Sequence, residues 1–205
     1  EEYKNVSLLL HTNFIYADEQ LKPIASKKKF QRTKIKHPRF SNVVCQNSAF
    51  GCMMMINKKL LSLVGEIPKI AENHDYWIAL VASAFGKIFY LNKRTILYRQ
   101  HVGNLSPKHD FNSFSKRFQR IFVDKGNFKD VKSKVEMALE FRKVYYDKLS
   151  TANKKVICDF IALLKNKTGS LFLKNIKNGL RRQTFGQTLL FYFTILLSKK
   201  NQLVK

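Results

Sequence analysis

A chain of 205 residues is long enough for one large domain or two small ones, and 45% hydrophobic content with 17 Phe excludes a disordered chain. No apolar run reaches the roughly 18 residues of a spanning helix, and the acidic stretch around Glu1 and Glu2 lacks the basic region of a secretory signal. A formal net charge of +24 asks for an anionic partner, whether nucleic acid, an anionic membrane surface or a phosphorylated substrate, and composition does not choose among them.

The charge is uneven. Residues 1–100 carry 16 basic and 7 acidic side chains, whereas residues 101–205 carry 22 and 7. The three cysteines, Cys45, Cys52 and Cys158, have no metal-type spacing, so free thiols in a reducing compartment are expected.

Taken in order, Val6–Thr12 is an apolar run that suits a buried strand. Phe14–Tyr16 and Leu21–Ile24 flank a polar turn and predict a hairpin, with Asp18 and Glu19 as turn residues. Lys27–Arg39 is basic and aperiodic, which predicts an exposed loop, either solvated or facing phosphate or lipid. Asn42–Asn47 then leads into a strand over Phe50–Ile56, with Met53–Met55 in the core. Asn57 caps a short helix, Lys58–Val64, that Gly65 ends. Asn73 caps a second helix, whose apolar face is Trp77, Leu80, Val81 and Ala84, with Gly86 at the C′ position. Lys87–Asn92 and Thr95–Gln100 predict two strands with Asn92-Lys93-Arg94 as the turn between them. Along the second, Ile96, Tyr98 and Gln100 share one face, and Leu97, Arg99 and His101 share the other.

Beyond Asn104 the pattern turns helical. Helices are expected near Phe111–Val123, Asp130–Leu149, Lys154–Lys165, Leu171–Leu180 and Gln187–Ser198. Val135, Leu139, Val144 and Tyr145 are taken as one face of the second. The last is apolar all round, with Arg181-Arg182 and Lys199-Lys200 as basic flanks. It is too short to span a bilayer, which leaves a core helix, a partner-facing helix or one lying in the membrane interface.

The segment Asn73–Asn104, with HDYW, ALVASAFGKIFYL and ILYRQHVGN, resembles the C-terminal half of a family 2 glycosyltransferase domain. The upstream QNSAFGCMMMINKKLL resembles the same family, and the nearest likeness is to bacterial enzymes that build rhamnose-containing and other surface polysaccharides. The likeness covers about Val6–Ser106; Asn13 departs from the threonine-aspartate pair often found at its place. The fold class implied is α/β, a partial GT-A (nucleotide-diphospho-sugar transferase) domain at residues 1–106. It lacks the N-terminal donor-binding half, and a basic, all-helical tail follows at 107–205.

The resemblance implies inverting transfer of a sugar from a nucleotide-sugar donor to a glycan or lipid-linked acceptor. Such transfer needs a carboxylate to take the acceptor proton and positive charge to hold the departing diphosphate. Asp75 matches the catalytic-base position. In isolation, an Asp in a first helical turn does no more than stabilise the helix dipole. His74, Trp77, Gln46, Asn47 and Arg99 are candidate substrate contacts. Trp77 is either a ring that stacks on sugar or a core residue, and Gln46 and Asn47 either bond the acceptor or order the loop beside it. Arg99 offers a bidentate fork to phosphate. His101 stands where a late histidine completes the shell of a divalent metal, Mn or Mg, in the complete enzyme. No Asp-x-Asp and no glycine-rich phosphate loop occurs, so the expectation is a chain that works with a separate donor-binding half and is inactive alone. The expected place is the cytoplasmic side, peripheral to the inner face of the plasma membrane. The competing reading is a basic helical module that binds nucleic acid or anionic membrane without catalysis. No nucleic-acid fold motif accompanies the basic stretch, so no nucleic acid is expected.

Overall fold

The computed structural model describes residues 3–24, 35–101, 126–166 and 168–198. Most of the basic Lys27–Arg39 stretch and the helix expected at Phe111–Val123 lie outside the described residues. Within them the chain is a mixed α/β protein, with a three-stranded sheet and seven α-helices.

Strand β1 (Leu8–Ala17) is central. Strand β2 (Met54–Ile56) pairs with it antiparallel, Leu9 opposite Ile56 and His11 opposite Met54. Strand β3 (Lys87–Arg99) pairs along the other edge in parallel. The strand expected at Phe50–Ile56 is shorter than that, because Gly51–Met53 forms a 3-10 turn ahead of it.

The two strands expected on either side of Asn92-Lys93-Arg94 are one strand. Pairing runs from Leu8 opposite Lys87 to Ala17 opposite Arg99, with irregularities around Asn13. From His11–Tyr90 to Phe14–Ile96, β1 advances three residues and β3 six, so β3 absorbs three extra residues as a bulge. A tight hairpin turn needs positive φ, and none of these three residues adopts it. Both halves of β3 instead share one partner, β1. The alternation predicted at its end holds: Ile96 and Tyr98 are half-buried and Gln100 is buried, while Leu97, Arg99 and His101 are exposed.

The first hairpin is also reshaped. Strand β1 runs unbroken through Phe14–Tyr16, and the return strand is a single bridge between Ala17 and Pro23. Asp18 does hold the turn, its carboxylate accepting from the Gln20 and Lys22 amides at 3.0 and 2.8 Å.

Helix α1 (Phe40–Cys45), six residues and all of them buried, has no counterpart among the predicted elements. Helix α2 (Lys58–Val64) has the predicted bounds. The Asn57 side chain accepts from the Leu60 amide at 3.0 Å, and Gly65 leaves the helix at φ 59°. Helix α3 (His74–Phe85) also stands as predicted, although Asn73 caps it without a side-chain hydrogen bond. Gly86 ends it at φ −147°, so its glycine is not required for a left-handed turn. It is required for a close approach: a Cβ there would fall inside the van der Waals shell of the Ser7 carbonyl oxygen, which accepts the Lys87 amide at 2.9 Å.

Helices α4 (Gly126–Tyr145), α5 (Thr151–Asn166), α6 (Gly169–Lys177) and α7 (Phe185–Leu197) follow. On α4, Val135 and Tyr145 are buried, but Val144 is 46% exposed. Nine residues is two and a half turns of about 3.6 residues, so Val144 lies opposite Val135 rather than beside it. No described helix is long and apolar enough to cross a membrane.

The described helices after residue 126 share a core with the sheet region. Phe141 of α4 packs against Phe40 of α1 and Trp77 of α3, with ring centroids 5.2 and 5.7 Å apart. The Tyr145 hydroxyl donates to the Leu63 and Val64 carbonyls, each at 3.0 Å. Asp130 of α4 pairs with Arg182 at 2.6 Å. Buried residues of the sheet and of α4, α5 and α7 form one contiguous apolar cluster, and Leu171 and Phe172 of α6 pack against it.

His11, on the central strand, is fully buried against the Tyr90 ring, 5.1 Å between centroids. Burial pushes its pKa down to about 4, with the Thr12 backbone acting weakly in the other direction. The folded chain therefore keeps His11 neutral at pH values where the unfolded chain, with an ordinary pKa near 6.5, takes up a proton. Stability from this group is complete above about pH 6.5 and is lost as pH falls toward about 4, a difference of about 3 kcal/mol. Chemical denaturation at stepped pH should show that decline. His11→Gln should flatten it; an unchanged slope in that variant would assign the acid sensitivity to other groups.

Candidate functional site

The first turn of α3 carries Asp75, and the loop between α1 and β2 folds back onto it. The half-buried Asp75 carboxylate accepts from the Gly51 amide at 2.9 Å and from Asn47 Nδ2 at 3.2 Å. Asn47 is held in turn by Ala49: its Oδ1 accepts the Ala49 amide at 2.9 Å, and its Nδ2 donates to the Ala49 carbonyl at 2.6 Å. Asn47 thus orders the loop and orients the carboxylate. The backbone amide and the side-chain N–H fix the carboxylate at the helix start, where the helix dipole is directed at it.

His74 is exposed beside it. A Cβ on Gly51 would lie 2.6 Å from His74 Nε2, so the glycine admits the imidazole to this position. The Gly51 amide is a partner that residue-by-residue reading does not find, because a backbone donor has no side-chain signature. The only hint was a glycine two residues before Met53.

Two candidates are placed differently from their expected roles. Trp77 is 0% exposed and lies between Phe141 and Tyr145, so it cannot stack on a sugar; it points from α3 into the core, away from the solvent-facing first turn. Gln46 is engaged elsewhere, its Oε1 accepting the Gln183 amide at 3.1 Å and joining α1 to the approach of α7. Arg99 and His101 are exposed at the C-terminal end of β3, and the described hydrogen bonds of Asp75 are to Asn47 and Gly51. Among the described residues no three of His, Cys, Asp and Glu gather as a cation shell. One imidazole does not make a site for a hard divalent cation, so these residues by themselves do not fit the expected metal.

A second group of side chains adjoins the Asp75 loop. Phe50, one residue before Gly51, meets Phe14 of β1 at 6.2 Å, and Phe14 meets Tyr98 of β3 at 5.1 Å. Tyr16 closes the group, 4.8 Å from Phe14 and 6.1 Å from Tyr98. All four rings are half-buried and retain exposed surface. Alternation along β3 placed Tyr98 on one face with Ile96 and Gln100; its partner rings Phe14 and Tyr16 come from β1, more than eighty residues earlier, and were not predicted.

Thiol chemistry has no basis at this site. Burial, and then the charge of Asp75, push the Cys52 thiol up, and burial pushes the core thiol of Cys45 up to about 12. Neither is a thiolate near neutrality. No protein-family model, curated protein or solved structure matches the chain.

Proposed function

We propose that this chain forms the acceptor side of an inverting family 2 glycosyltransferase of the GT-A type, acting in synthesis of a cell-surface glycan. The observation that supports it is the Asp75 carboxylate, oriented at a helix start by Gly51 and Asn47 and bordered by half-exposed aromatic rings. In this reading Asp75 accepts the proton of an acceptor hydroxyl. The hydroxyl oxygen forms a bond to the anomeric carbon, and the bond from that carbon to the nucleotide diphosphate breaks with its electron pair going to the diphosphate. His74 donates a hydrogen bond to the acceptor. The aromatic group of Phe14, Phe50 and Tyr98 takes over the stacking role that Trp77 does not fill. Arg99 and His101 face the diphosphate.

Asp-x-Asp is absent from these 205 residues, so the reading assigns nucleotide binding and the carboxylate ligands of a divalent cation to a separate donor-binding half. It places the acceptor, a glycan or lipid-linked sugar, at the cytoplasmic face of the membrane. Titration of the chain alone with uridine and deoxythymidine diphospho-sugars should show negligible affinity and no turnover. Mixed with or joined to a donor-binding half, it should transfer sugar. Tight, metal-dependent nucleotide-sugar binding by the chain alone would overturn this division of labour.

A further inference from the structure

Helix α7 contains no charged residue. Its inner half is packed: Phe191, Tyr192 and Ile195 are each 1% exposed or less. Its outer half is apolar as well. Phe185 is 82% exposed, Leu189 54%, Phe193 42%, Leu196 44% and Leu197 52%. These positions follow the spacing i, i+4, i+8, i+11 and i+12, which a helix gathers onto one face. A surface helix facing water ordinarily carries polar residues there. Helix α6 packs on α7 through Phe172 and Tyr192, 4.6 Å between ring centroids, and exposes Leu173 and Ile176 by 58% and 39%.

The charge in this part of the sequence is strongly basic. Residues 160–205 hold nine Lys and Arg and no Asp or Glu. Lys177 and Arg181 are exposed close to the start of α7, and Lys199-Lys200 follow its end in sequence. The nearby carboxylates are already paired, Asp130 with Arg182 at 2.6 Å and Asp159 with Lys174 at 2.7 Å. An apolar helix face flanked by an excess of cations is complementary to a surface that is apolar beneath an anionic layer. A second copy of this chain is the poorer match, since each copy carries +24 and like-charged chains repel.

We propose that the outer face of α7, extended by Leu173 and Ile176 of α6, is a membrane-docking surface that seats in the interface of an anionic bilayer. The apolar side chains enter at the boundary of headgroups and acyl chains, and the flanking lysines and arginines contact lipid phosphates. The inference stands on this surface alone and does not require the transferase reading.

The test is flotation of the full 205-residue chain with phosphatidylcholine vesicles, with and without phosphatidylglycerol. Binding is expected only with phosphatidylglycerol and should weaken as salt is raised, because the attraction is screened within about 10 Å at 0.1 M salt. Leu189→Asp with Phe193→Asp should reduce binding by about tenfold or more while leaving far-ultraviolet circular dichroism unchanged. Phe193→Trp gives an independent readout that does not depend on a charged variant folding. Its introduced indole should shift to the blue and be quenched by brominated anionic lipid, against a buried Trp77 that is not. The proposal is overturned by absent binding at low salt, by full binding of the aspartate variant, or by an introduced indole that vesicles leave unchanged. It is also overturned by a lipid-independent dimer that the aspartate substitutions dissolve, which would assign the face to a second copy.

Discussion

Replacing Trp77 by alanine is expected to lower stability by about 3–5 kcal/mol, the cost of emptying a large, fully packed aromatic site. The indole is 0% exposed and sits 5.7 Å from the Phe141 ring and 6.0 Å from the Tyr145 ring. Both rings belong to α4, so the cavity would open at the contact that joins α3 to the later helices. Loss on that scale shifts the melting temperature by about 10–15 °C for a chain of this size. Trp77→Phe keeps an aromatic contact and should cost much less, about 1–2 kcal/mol. Thermal denaturation of the two variants separates this role from the alternative. If Trp77 served a sugar, the alanine variant would melt like the parent and lose only binding.

What was legible depended on whether the deciding interaction was local. Helix α2 is bounded by Asn57 and Gly65, whose side-chain oxygen and positive φ act within a few residues, and its ends are where the sequence places them. The face of α3 follows from the spacing of Trp77, Leu80 and Val81 in the same way. The Asn92-Lys93-Arg94 turn failed for the opposite reason. Those residue types favour a turn, but β1, more than seventy residues away, pairs on both sides of them and keeps the strand going. Helix α1 was missed because six residues are too few to display a period. Val144 was an error of geometry rather than of information, since the helical angle alone puts it on the outer side.

The site divides along the same line. Asp75 was identifiable from its place in the first turn and from the surrounding motif, and Asn47 from its position in the preceding loop. Gly51 was not, because its contribution is an amide aimed by a 3-10 turn. Trp77 was ambiguous, since its burial depends on Phe141, 64 positions later in the helical tail. The apolar composition of α7 was plain, but only packing shows which half of it stays outside.

Asp75→Asn is expected to abolish transfer when the chain is supplied with its donor-binding half, lowering the turnover rate by about 10²–10⁴-fold, the usual contribution of a positioned general base. The substitution preserves shape and removes the basic oxygen. It also changes the local hydrogen bonds. The asparagine oxygen can still accept the Gly51 amide, but its NH₂ group then meets Asn47 Nδ2, donor against donor, where the carboxylate accepted at 3.2 Å. That mismatch costs about 1–2 kcal/mol of stability, too little to unfold a packed domain, so a folded but inactive protein should result. Nucleotide-sugar affinity should be unchanged, because in this reading the acceptor side does not hold the donor. Asn47→Ala leaves the carboxylate in place but frees it to turn, and a smaller loss of about tenfold is expected there. Steady-state rates of the two variants, with nucleotide affinity measured in parallel, give the decisive comparison. Asp75→Asn at the parent rate would remove Asp75 from the chemistry and leave it as a helix-start residue that anchors the Gly51 loop. Equal losses in both variants would mean that loop order, not proton transfer, sets the rate.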